Sequence, residues 1–96
     1  MKVVYHKLVQ KDLDDAWNYY EDASSGLGDQ FFVEFLSIIE GIRKNPQRWG
    51  FANHGRRMAL FKRFPYKLLY RVETSQVKVL VVRHQKRHPS FGDRRR

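Results

Sequence analysis

The sequence predicts an α+β fold of β-α-α-β-β-β order: a four-stranded, mostly antiparallel sheet with a helical hairpin on one face. Three observations carry this expectation. Arg57–Phe61, Tyr66–Glu73 and Gln76–His84 are rich in β-branched, aromatic and leucine residues and are separated by breaks at Phe64-Pro65 and Thr74-Ser75. Two stretches ahead of them place apolar residues at helical spacing. A short run of β-formers, Val3, Val4 and Tyr5, opens the chain.

Taken in order, Lys2–Leu8 is the first strand, with His6 as an ordinary strand histidine. Asp12 is expected to cap the first helix, with Asp14 and Asp15 near its positive end. Leu13, Ala16, Trp17, Tyr20 and Ser24 form one stripe, and Asp14, Asp15, Asn18, Glu21 and Asp22 point away as a solvated face. Ser25-Gly26 ends this helix, since glycine readily takes the left-handed position there. The second helix runs from Gly28 or Asp29 to Lys44. Its Phe31, Phe32, Phe35, Leu36, Ile38, Ile39 and Ile42 spread over an arc of roughly 160°, so it is expected to be covered on two sides. Asn45-Pro46 stops it, because a residue before proline avoids the α region.

Gln47–Gly55 is a loop in which Trp49 and Phe51 either stack a nucleic-acid base or close the open end of the core; the core reading is preferred, and His54 there has no identifiable partner. In the last hairpin, a Thr74-Ser75 turn sets Val72 opposite Val77, Tyr70 opposite Val79 and Leu68 opposite Val81. That apolar face belongs beneath the helices. Leu80 and Val82 on the other face make the last strand a central one. The other face sets Arg71 against Lys78 and Lys67 against Val82. Like charges directly opposite are destabilising, so either an anion or acidic partner lies between Arg71 and Lys78, or both splay into water. The tail after Pro89, SFGDRRR, reads as flexible and basic.

Ninety-six residues with 42% hydrophobic and 15% aromatic content form one domain, residues 1–96, able to bury roughly two-thirds of the unfolded surface. The absence of cysteine excludes disulfides and thiolate metal sites. With no signal-like apolar opening and no run long enough to span a bilayer, a cytoplasmic protein without a membrane partner is expected. The net charge of +9 is unevenly placed. Residues 1–48 hold six Lys/Arg against eight Asp/Glu, a balance of −2; residues 49–96 hold thirteen against Glu73 and Asp93, a balance of +11. That asymmetry points the second half towards nucleic acid, the ribosome or an acidic protein.

Several segments together resemble the RelE/ParE superfamily, toxins of bacterial type II toxin–antitoxin modules. They are DLDDAWNYYE and GLGDQFFVEF in the helices, the NP that follows, then RRMALFKRFPYKLLYRV and VKVLVVRHQKRHPSF. The resemblance implies a growth-inhibiting protein held inactive by an antitoxin with an acidic or amphipathic segment. Members of the superfamily differ in target, and some have none settled; a basic nucleic-acid-binding module without toxicity is the weaker alternative. RelE-like members cleave messenger RNA on the ribosome, and ParE-like members poison DNA gyrase without catalysis. On the ribonuclease reading, which is the one expected, no metal or other cofactor is needed. Basic residues at Arg57, Arg63, Lys67 and Arg71, with Lys78, Arg83 and Arg87, would hold phosphate or the antitoxin. In the catalytic set of Arg83, His84, His88 and Arg63, Arg83 would steady the scissile phosphate while His84 or His88 moves the proton. Phe91 stands about where such enzymes carry a tyrosine, and it has no exchangeable proton.

Overall fold

The computed structural model describes residues 1–52 and 54–96. It holds β1 (Lys2–Tyr5), α1 (Val9–Ala23), α2 (Leu27–Lys44), β2 (Arg57–Leu60), β3 (Tyr66–Val72) and β4 (Gln76–His84). The sheet order is β1-β4-β3-β2. β1 runs parallel to β4, and the β4–β3 and β3–β2 pairs are antiparallel. The last strand is central, as its two-sided apolarity requires, and α1 and α2 pack as a hairpin on one face.

The first strand is shorter than expected. The Val9 amide closes a turn on the His6 carbonyl, and α1 begins at Val9 without any side-chain cap. Asp12 is therefore no N-cap; it lies a turn inside the helix and is buried. The α1 stripe is Val9, Asp12, Leu13, Ala16 and Tyr20, while Trp17 is exposed. Glu21, assigned to the solvated face, instead accepts the Gly26 and Gly28 amides and so fixes the turn into α2. On α2, Phe31, Phe35, Ile38, Ile39 and Ile42 are buried, but Phe32 and Leu36 stand exposed. The helix is thus covered on two sides, by α1 through Tyr20 on Phe31 and by the sheet side through Phe61 and Tyr66 on Phe31, with the Phe32–Leu36 edge of the arc left bare.

The hairpin register holds from Val72↔Val77 to Tyr70↔Val79, and then breaks. Leu69 pairs with Val81 and Leu68 with Val82, which leaves Leu80 as an extra residue in β4. Such a bulge re-aims every later side chain. Val82, not Val81, joins Leu68, Tyr70, Val77 and Val79 in the core under the helices. Val81 turns with Leu69 and Leu80 to the other face and packs against Met58 and Phe91. Lys67 consequently faces Arg83 rather than Val82.

That second face is not open. Residues 88–96 lie across it as a strap, and the tail that reads as flexible is held along its length. Phe91 joins the second apolar cluster. Gly92 sits on Val81 at φ 84°, where a β-carbon would overlap the valine methyl; only glycine combines that backbone angle with that approach.

Candidate functional site

The strap is tied down by arginines that rise from the sheet. Arg56, only 4% exposed, donates to the carbonyls of Gly92, Asp93 and Arg95. Arg83, 8% exposed, donates to the carbonyls of His88, Pro89 and Phe91 at 3.3, 2.6 and 3.0 Å. The Arg83 Nε is buried with no hydrogen-bond partner among the described residues. A buried cation is stable only if its donors are met; in Arg83 the strap carbonyls meet those of one terminal nitrogen. Burial also lowers the Arg56 pKa, an effect that nearby Asp93 opposes.

Arg95 closes the strap from the other side. It forks onto both carboxylate oxygens of Asp12 and also donates to the Leu80 carbonyl. The second Asp12 oxygen also accepts the Val82 amide. β1 pairs only with Gln76–Val79 of β4, so the edge of β4 beyond it is capped by these two side chains. Sequence reasoning missed Asp12, Arg95 and Arg56. A signal existed for Asp12, which falls in phase with Ala16 and Tyr20 on the apolar stripe.

The other expected site residues are placed as follows. Arg71 donates through Nε and a terminal nitrogen to one Glu73 oxygen, and Gln76 donates to the other; the Gln76 amide and then Arg71 hold the Glu73 carboxyl below its ordinary pKa. Lys78 reaches the Arg96 carbonyl at 2.6 Å. The two opposed cations of the hairpin thus find acceptors within their own chain. Arg57 donates to the carbonyls of Gln47 and Trp49 and to the Gln47 side chain, with its guanidinium 4.1 Å from the Phe51 ring. Arg63 bonds the Gln30 side chain. Lys67 is half-buried. Arg87 lies 4.2 Å over the Phe91 ring. His84 sits edge-on to Tyr66 and accepts the Lys86 amide at Nδ1, while His88 Nδ1 meets the Ser90 amide and hydroxyl.

Arg83, His84 and Arg87 are brought together. With Asp15, Tyr19 and Tyr66 they line a cleft of about 190 Å³ between α1 and the end of β4. Burial raises the pKa of Tyr66, which leaves its hydroxyl protonated at neutral pH. Arg57, Arg63, Lys67, Arg71, Lys78 and His88 do not line this cleft.

Two further surfaces are apolar. A groove of about 400 Å³ beside β1 is lined by Tyr5, Val9, Leu13, Phe32, Phe35 and Leu36. A second cleft, at the β2 edge, holds Trp49, Phe51 and Leu60. Trp49 packs against the core as expected, but Phe51 does not; it is 69% exposed.

Residues 3–89 match the family described as ParE toxin of type II toxin-antitoxin system, parDE. The chain belongs to the ParE toxin family. A solved structure titled "Chromosomal ParDE TA system from P. aeruginosa" is similar in fold, with a TM-score of 0.78 at 16% identity over 88% of this chain and 95% of that one. No curated protein matches the chain. Family membership makes this protein the toxin component of a toxin–antitoxin module, with a cognate antitoxin as partner. Among the described residues, no helix of the toxin is long and apolar enough to cross a membrane.

Proposed function

We propose that this toxin arrests growth without cutting RNA, by binding DNA gyrase, and that its antitoxin seats on the apolar groove beside β1. The observation that carries the first part is the engagement of Arg83. Steadying a scissile phosphate requires free guanidinium donors aimed at open space. Here one terminal nitrogen of Arg83 serves three strap carbonyls, and its Nε is buried without a partner among the described residues. The residue is only 8% exposed, so at most its other terminal nitrogen is left to face the cleft. Phe91, at the position expected for a proton-carrying tyrosine, is packed into the second apolar cluster. A toxin that works by binding needs neither a free Arg83 nor a proton carrier.

The groove suits an amphipathic segment. Phe32 and Leu36 on α2 and Tyr5 on β1 are large, exposed and contiguous, and Lys7 stands at the rim. An acidic helix with apolar residues one turn apart fits such a surface. The basic face named by the charge pattern is the poorer seat, since Arg71 already has Glu73 and the strap covers its neighbours.

One observation favours the competing reading, ribosome-dependent cleavage of messenger RNA. The small cleft does gather Arg83, His84 and Arg87 beside two tyrosines. The test is to add purified toxin, and its His84→Gln/His88→Gln double variant, to a gyrase supercoiling reaction and to translating ribosomes. The expected outcome is inhibition of supercoiling at the same dose by both proteins, with ribosome-bound message intact. Cleaved message that the double variant spares, with supercoiling unaffected, would overturn the proposal.

A further inference from the structure

We infer that the cleft at the β2 edge is where the toxin grips its target, by receiving an acidic protein segment that carries a large apolar side chain. The inference deepens the non-catalytic reading and rests on it. β2 is the free edge of the sheet opposite β1. The chain before it covers only its first half: Phe51 bridges Arg57, and the Met58 amide reaches the Gly50 carbonyl. Beyond Met58 no pairing of the edge is found among the described residues, and Leu60 is left 51% exposed.

Leu60 separates two adjoining hollows. One, of about 500 Å³, is floored by Trp49, Met58 and Phe61 beside Phe51. The other, of about 170 Å³, lies between β2 and α2 and shares Trp49, Leu60 and Lys62. The floor is fixed, because Trp49 is packed so closely on Gly41 that a β-carbon there would meet the indole at 2.9 Å. A rigid apolar floor that water must otherwise cover is the part of a surface that gains most from a partner.

The rim is cationic and already ordered. Arg48 lies 4.7 Å over the Trp49 ring and lines the smaller hollow, and Lys62 borders both; Arg57 lies 4.1 Å over Phe51 with its terminal nitrogens turned to Gln47 and Trp49. None of the three has a carboxylate partner among the described residues. One acid, Glu34, lines the smaller hollow, where its carboxylate is taken up by the amides of Lys62 and Arg63. The Arg48 guanidinium, held by stacking, loses little freedom when a carboxylate arrives. A single-stranded nucleic acid fits less well. Its bases need open ring faces, and here Arg48 and Gly41 enclose Trp49 and a guanidinium takes one face of Phe51.

Leu60→Glu and, separately, Phe51→Ala test this, with purified gyrase as the probe alongside growth arrest in cells. The expected result for each is about a tenfold or greater loss of gyrase affinity with a matching rise in the dose that arrests growth. Melting temperature should stay unchanged and affinity for the cognate antitoxin should hold within about twofold, since the groove lies at the opposite edge. If wild-type toxin fails to bind gyrase yet both variants lose arrest, the gyrase reading falls and the cleft stands as the target site. If either variant, folded, arrests growth at the wild-type dose, the cleft is overturned. Wild-type binding to an RNA oligonucleotide that Leu60→Glu abolishes would overturn the acidic-protein chemistry.

Discussion

Asp12 is an acid on an apolar stripe, and its position sets its role. Its carboxylate is buried against the Arg95 fork and the Val82 amide, so removing it leaves a near-buried cation and an unpaired amide. Breaking such a pair typically costs about 3–5 kcal/mol. Asp12→Ala should lower unfolding stability by about that much in a urea titration, out of the roughly 5–15 kcal/mol a small domain has; a loss under about 1 kcal/mol would show the pair to be ornamental. His6 gives a pH-dependent counterpart. Desolvation first, then Arg95, Lys78 and Lys7, push its pKa below 6.5. The folded state therefore favours the neutral ring, so its contribution is fully present above about pH 6.5 and is lost as pH falls below that value. Urea midpoints at pH 7.5 and 5.5 should converge in His6→Gln relative to the wild type. Both roles escaped sequence reasoning for one reason. A polar residue's partner here comes from the far end of the chain, and spacing reports only neighbours along it.

The six elements and their order were legible because each is announced locally: helical periodicity, β-branched runs, Asn45-Pro46 and a two-residue hairpin break. The register was legible as far as Tyr70↔Val79 and no further. The bulge at Leu80 leaves no mark in a run reading Val-Leu-Val-Val, where apolar residues occupy both parities and alternation cannot betray an insertion. The strap was misread for a related reason. SFGDRRR has the composition of a solvated tail, yet its order rests on shape and on donors: Phe91 in the second cluster, Gly92 on Val81, and Arg56 and Arg83 reaching up to its carbonyls. Gly92→Ala should therefore free the strap while leaving the helices and sheet intact. Trypsin cleavage after Arg94 and Arg95 should accelerate by about tenfold or more in that variant, as local opening becomes easier. Unchanged cleavage would mean that the glycine does not seat the strap.

Across the whole molecule, the +11 of the second half is not a uniform field waiting for phosphate. Arg56, Arg71, Lys78, Arg83 and Arg95 are all engaged within the chain, by carbonyls or by Glu73 and Asp12. The exposed remainder, Arg48, Lys62 and Arg87 among them, frames apolar or aromatic ground. Charge counting located the cation-rich half of the sequence but could not tell a cation open to a partner from one that ties its own backbone. Once the internal ties are set aside, what remains is a docking body with an apolar groove at one sheet edge and a cation-rimmed cleft at the other. The central claim is that this body stops growth by engaging gyrase and not by cutting message. The most direct measurement is to induce the toxin in growing cells and follow DNA synthesis and protein synthesis by pulse labelling from the first minutes. DNA synthesis is predicted to fall first, with bulk messenger RNA still intact as it does; protein synthesis falling first, with message cut on the ribosome, would contradict the account.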